Sequence, residues 1–235
     1  MAISEVTPPQ WSFVVQNRLV REIDLPSPDT MAPRWSALAA VLAAYGPRWA
    51  ESAYSDGSTW HYDDGGGNWA DIRFLGDGRA VLLGHDHEYS ETYFRSAAEY
   101  FGESETDLLS GCPPWWAEAI GDYLDRIDSE GTWIGFIYGY DGSTWTRADY
   151  DGDDGFTSLN VPFLGGQPVL KQITSQLTMS IGGRPAGAAP DPQLLDRVLA
   201  ECPELSADTA QALLGGRDLD IDAALRAAHQ FRRSS

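Results

Sequence analysis

Tyr54-Ser-Asp-Gly-Ser-Thr-Trp60 decides how this chain is read, because it returns as Tyr138-Gly-Tyr-Asp-Gly-Ser-Thr-Trp145. Asp56 is matched by Asp141 and Trp60 by Trp145, an offset of 85 positions. Asp-Gly tolerates the positive backbone angle of a tight hairpin turn, so each copy reads as strand, turn and returning strand.

The likeness extends outward from both copies. Ahead of the first, Trp35, Leu38, Ala39, Leu42 and Tyr45 follow helical spacing from Pro33, and Gly46-Pro47 supplies the stop. Ahead of the second, Trp116, Ile120, Tyr123, Leu124 and Ile127 mark the stripe of another helix. After the first hairpin, Trp69, Asp71 and Arg73 alternate with Ala70, Ile72 and Phe74 as in a half-buried strand, and Ala80–Leu83 reads as a buried one. Phe163-Leu-Gly165 echoes Phe74-Leu-Gly76, which predicts matching strands at Leu159–Phe163 and Val169-Leu170. The expected fold class is α+β: internally duplicated units of a helix plus an antiparallel β-meander, forming one pseudo-symmetric domain with a C-terminal three-helix tail. One such unit leaves a sheet face half covered, and two complete a common core.

The predicted organisation is a lead-in over 1–32 and a duplicated domain over 33–181. Within that domain, repeat one spans 33–84, an inserted segment 85–112, and repeat two 113–181. A linker over 182–190 precedes a small helical module at 191–235. In the lead-in, Trp11–Ile23 fits neither the helical nor the strand period cleanly; its β-branched content slightly favours strand, so it reads as an extra edge strand or as a lead-in packed on the first repeat, broken by Leu25-Pro-Ser-Pro. In the tail, Leu194, Leu195, Val198 and Leu199 form one helical stripe. Ser206 is placed as the cap of a second helix and Asp220 or Asp222 as the cap of a third. These helices, with Gly215-Gly-Arg-Asp-Leu-Asp-Ile-Asp-Ala-Ala-Leu225 before the last, resemble a ubiquitin-associated-type three-helix fold. The resemblance implies the shape alone, since the hydrophobic Met-Gly-Phe-type loop of that family is missing at Glu201–Leu205.

Composition bounds the function. The 235 residues carry a net charge of −19, with 43% hydrophobic and 11% aromatic content. A surface so acidic repels phosphate backbones and attracts basic proteins. No stretch approaches the ~18 apolar residues of a membrane span, and no basic-then-apolar leader opens the chain. Two cysteines, Cys112 and Cys202, fit a reducing compartment. A single lysine among abundant Ala, Gly and Arg points to a GC-rich bacterial source. The expectation is a cytoplasmic bacterial protein with no nucleic-acid or membrane partner.

The run that looks most chemical is His85-Asp-His-Glu88. On a strand, His85 and His87 share a face, and a His-x-His pair is a common half of a zinc or other divalent-metal site. His61, on the hairpin of the same repeat, is the candidate third ligand, with Glu88 as another. Asp149, Asp151 and Asp153 occupy the first three ligand positions of a calcium loop, but Asp154 and Asn160 stand where its Gly and Glu belong. That stretch therefore reads as a polar turn. No nucleophile elbow or phosphate loop is present.

The favoured function is a non-enzymatic acidic binding protein of the immunity type, which occludes a basic partner such as a bacterial toxin. It requires no cofactor. Its candidate partner-binding residues are Asp63, Asp64, Glu103, Glu105, Asp151, Asp153 and Asp154, with Trp115 as an aromatic anchor. The alternatives are a metal-dependent enzyme or metal sensor using His85, His87 and His61, and an adaptor docking a partner through its helical tail.

Overall fold

The structure, a computed structural model, describes residues 20–180 and 187–232; most of the proposed lead-in and part of the linker lie outside the described residues. Strand β1 (Val20–Ile23) confirms the last part of the predicted edge strand. Helix α1 (Pro28–Ala44) starts earlier than Pro33. Pro-Ser-Pro, read as a breaker, is its start signal: Ser27 Oγ accepts from the Thr30 amide at 3.3 Å, and Pro28 takes the first helical position.

A one-turn helix α2 (Pro47–Ala50) leads into β2 (Ala53–Ser55), β3 (Thr59–Asp63), β4 (Trp69–Phe74) and β5 (Ala80–His85), the predicted meander. Helix α3 (Ser96–Phe101) lies in the inserted segment. Helix α4 (Pro114–Ser129) precedes the second hairpin, β6 (Phe136–Tyr140) and β7 (Trp145–Ala148). Among the described residues, seven strands form one antiparallel sheet in the order β1-β7-β6-β5-β4-β3-β2.

The two hairpin turns are built alike. Asp56 Oδ1 accepts from the amides of Ser58 and Thr59 at 2.8 and 2.7 Å, and Asp141 Oδ1 from those of Ser143 and Thr144 at 2.9 Å each. Gly57 and Gly142 carry the positive φ that each turn needs, at 91° and 101°. Trp60 and Trp145 are both buried in the same core.

Beyond β7 the likeness ends. The predicted strands at Leu159–Phe163 and Val169-Leu170 are replaced by α5 (Phe156–Leu159), a 3₁₀ turn at Pro162–Leu164 and α6 (Gly166–Thr178). Val169, Ile173 and Leu177 recur every fourth residue and are the buried stripe of α6. The Phe-Leu-Gly echo pointed to strand where this longer period specifies helix. Helices α1 and α4 also pack on opposite faces of the sheet. The local hairpin therefore recurs, while two equivalently packed helix-plus-meander units are not seen.

The faces are covered unequally. On one lie α1, α6 and the tail helices α7 (Pro192–Glu201), α8 (Ala207–Leu214) and α9 (Ile221–His229). The predicted caps Ser206 and Asp220 accept from the Thr209 and Ala223 amides at 3.3 and 2.8 Å. Helix α1 is buried nearly all round, and its alanines at 37, 39, 40, 43 and 44 let sheet and tail approach it closely. Trp35 stacks on Phe163 with ring centroids 3.6 Å apart. Phe231, just past α9, lies 5.3 Å from Trp60, and Ser36 Oγ donates to the Ala228 carbonyl at 3.2 Å. The tail thus closes the same core.

On the other face, Trp116, Ile120, Leu124 and Ile127 of α4 pack over Val81, Leu83 and Ile137. That cover spans the middle of the sheet and leaves the β2–β4 side open. Among the described residues, no helix is long and apolar enough to cross a membrane.

Candidate functional site

Strand register assembles the floor of a cleft on this open face. Directly paired residues project to the same side of an antiparallel sheet. Tyr54, His61, Asp71 and Leu83 therefore form one row across β2–β5, and Asp63, Trp69 and His85 form the next. Leu83 disappears beneath α4, while the remainder borders a cleft of about 470 Å³. Its far wall is Tyr123 and Arg126 of α4, followed by Glu130–Trp133 just beyond the helix.

The floor centres on Asp71, buried to 3% exposure. Its Oδ1 lies 2.6 Å from His61 Nδ1, and the Tyr123 hydroxyl donates to its Oδ2. Burial raises the Asp71 carboxyl above the usual range, against the opposing pull of His61. The guanidinium groups of Arg73 and Arg126 lie 4.3 and 4.8 Å from the Tyr123 ring centre.

Aromatic rings stand beside two of the histidines. Tyr54, 39% exposed, lies 4.9 Å from the His61 ring. Trp133 meets His85 edge-on at 6.1 Å and continues into Tyr100 and Phe101 at 5.0 and 4.6 Å. His85 Nδ1 and Trp69 Nε1 are buried without a hydrogen-bond partner.

The three predicted metal ligands, His61, His85 and His87, all line this cleft. They do not converge: among the described residues, no group of three His, Cys, Asp or Glu side chains is placed to hold a metal ion. His61 is engaged with Asp71, and His87 Nδ1 lies 3.0 Å from Asn68 Oδ1. The strand ends at His85. Beyond it, buried Asp86 caps a turn by accepting from the Glu88 and Tyr89 amides, each at 3.0 Å, so the alternation expected of the run is lost.

The acidic candidates divide. The register places the 63–69, 86–92 and 149–155 connections at one end of the sheet. The Glu91 amide donates to the Asp153 carbonyl at 2.7 Å, joining two of them. Asp64, Asp151 and Asp153 are exposed there and Asp63 half-buried. Glu103 and Glu105 are exposed on the loop after α3, where Glu105 accepts from the Arg95 amide at 3.3 Å. Asp154 departs from the expectation. It is 8% exposed and paired with buried Arg147 at 3.2 Å, because the chain turns inward there to start α5. Trp115 is half-buried, with the Arg79 guanidinium 4.8 Å from its ring, which leaves it poorly suited as a free anchor.

Asp71, Tyr123 and Trp69 escaped the sequence reading. The available signal was an acid beside Trp69 within the alternation of β4, on the face that α4 partly covers. Cys112 and Cys202 are free, and burial pushes their thiols up to about 12 and about 11, so both are weak nucleophiles.

Burial holds the His85 imidazolium down to about 4. As pH falls from about 6.5 toward 4, the unfolded chain takes up a proton that the folded one refuses. The His85 contribution to stability should therefore decline across that window by roughly 2–3 kcal/mol and level off below it. Urea unfolding of His85→Asn should show a shallower decline between pH 6.5 and 4 than the parent; an unchanged slope would mean His85 titrates normally. No family model, curated protein or solved structure matches this chain.

Proposed function

We propose that the protein is a non-enzymatic acidic binding protein that occludes a basic protein partner, of the kind an immunity protein presents to a toxin. The observation that carries this reading is the gathering of acidic turns at one end of the sheet by strand register. Exposed Tyr89, Tyr100 and Phe101 lie on the connection and helix that follow β5. Carboxylates on such a surface accelerate and orient the encounter, and aromatic rings supply short-range affinity. Arginines on neighbouring elements are already engaged: Arg21 with Asp149 at 3.9 Å, Arg95 with Asp125 at 2.8 Å and Arg147 with Asp154 at 3.2 Å. Arg21 and Arg147 thus offset two carboxylates of the 149–155 turn, and the charge offered to a partner is that of exposed Asp64, Asp151 and Asp153 with half-buried Asp63. The recurrence of the Asp-Gly-Ser-Thr-Trp hairpin fits descent from one duplicated hairpin, which is part of the same proposal.

The test replaces Asp63, Asp64, Asp151 and Asp153 together by Asn. Asn keeps the side-chain oxygens that accept from Gly65, Gly66 and Gly155 amides, so the turns persist while charge is removed. Affinity capture from source-cell extract should retain a basic protein at low salt and release it as salt rises. The Asn variant should hold it about tenfold or more less tightly. Capture that is indifferent both to salt and to the four substitutions would refute the reading.

A further inference from the structure

The cleft beside this surface has a chemistry of its own. Trp69 is nine-tenths buried, lines the cleft, and carries an indole N–H with no acceptor. An indole nitrogen can only donate, so what is missing is an oxygen from outside the protein. His85, paired with Trp69 across β4 and β5, projects from the same face and also has an unpartnered nitrogen. Buried polar atoms are rarely left this way, and two on adjacent paired residues mark a place where a ligand completes the bonding.

The surrounding groups narrow the ligand class. Asp63, Asp71 and Glu130 disfavour an anion, as does the net charge of −19. A cation would meet Arg126 and an indole donor, and would find Asp71 already engaged by His61 and Tyr123. A ligand without net charge that accepts at Trp69 and His85 and donates to Asp63 or Glu130 meets both conditions. Hydroxyl groups do both. Tyr54 and Trp133 offer ring faces and edges for an apolar C–H surface, and the cleft falls within the about 300–1,000 Å³ usual for small-ligand sites.

We propose that this cleft binds a neutral carbohydrate unit of monosaccharide size, with a ring or hydroxyl oxygen accepting from Trp69 Nε1 and from the His85 ring. This site shares Asp63 with the surface proposed above, but its test is read at Trp69, His85 and Tyr54 and does not rest on that reading.

The test is a titration of the ¹⁵N-labelled full chain, following the indole resonance assigned to Trp69 by Trp69→Phe. The probes are glucose, galactose and N-acetylglucosamine, set against glucuronate, glucosamine and adenosine. At least one neutral sugar should shift the Trp69 indole and His85 ring signals saturably, with a millimolar dissociation constant, while glucuronate does not. Tyr54→Ala, at an exposed edge-strand position, should weaken that binding about tenfold and leave the remaining indole signals in place. His85→Ala should weaken it as well. No saturable shift with any neutral sugar, preferential binding of adenosine or a charged sugar, or binding unchanged in both variants would overturn the assignment.

Discussion

Gly139→Ala should destabilise the protein by about 3 kcal/mol, and lower the melting temperature by roughly 6–12 °C. Gly139 sits in β6, third strand from the β1 edge, under the indole of Trp116 from α4. A β-carbon at this position would lie 2.0–2.4 Å from three atoms of that ring, far inside contact distance. Trp116 is wholly buried and cannot swing aside, and the strand is held by β5 and β7. The missing side chain is thus what lets α4 settle on the sheet. The measurement is denaturant unfolding of Gly139→Ala alone and in a Trp116→Leu background. In the second background the added methyl should cost less than about 1 kcal/mol, since the smaller side chain vacates the space. Equal costs in the two backgrounds would show that the clash is not the cause.

Asp154→Ala should be the other severe change, at about 3–5 kcal/mol. The Asp154 carboxylate pairs with buried Arg147 and accepts from the hydroxyls of Tyr138 and Tyr150 at 2.7 and 2.8 Å. It also accepts from the Phe156 amide at 3.2 Å. Burial, reinforced by this carboxylate, drives both tyrosine hydroxyls well above their ordinary range, so they remain donors. Removing Asp154 leaves the buried Arg147 guanidinium without its carboxylate, and the buried Tyr138 and part-buried Tyr150 hydroxyls without this acceptor. Asp154→Asn should cost less, because it still accepts hydrogen bonds. Asp151→Asn, three residues earlier and exposed, should stay within about 0.5 kcal/mol of the parent. Urea unfolding of the three variants checks the order; an Asp154→Ala protein as stable as Asp151→Asn would contradict the buried network.

The contrast between Asp151 and Asp154 marks where sequence reasoning stops. Both belong to one acidic run, and nothing local separates a solvated carboxylate from one turned inward against Arg147. The hairpins were legible because Asp-Gly-Ser-Thr closes its turn with its own bonds, needing nothing from the rest of the fold. The tail caps at Ser206 and Asp220 were readable for the same reason. Helix α6 was misread because a three-residue echo was weighed above the fourfold spacing of Val169, Ile173 and Leu177. The cleft was half visible. Sequence singled out His61, His85 and His87, and the fold brings all three to one cavity. It could not show that Asp71 would lie between His61 and Tyr123, because alternation gives the face of a strand and not which helix covers it.

The account of function rests on charge at one end of the sheet drawing in a basic protein. Its most direct test is the association rate of the captured basic partner, measured against ionic strength for the parent and for the protein with Asp63, Asp64, Asp151 and Asp153 all replaced by Asn. The parent rate should fall by roughly tenfold or more from low to high salt, while the variant starts slow and changes little. A parent rate that is flat with salt, or a variant that tracks the parent throughout, would contradict it.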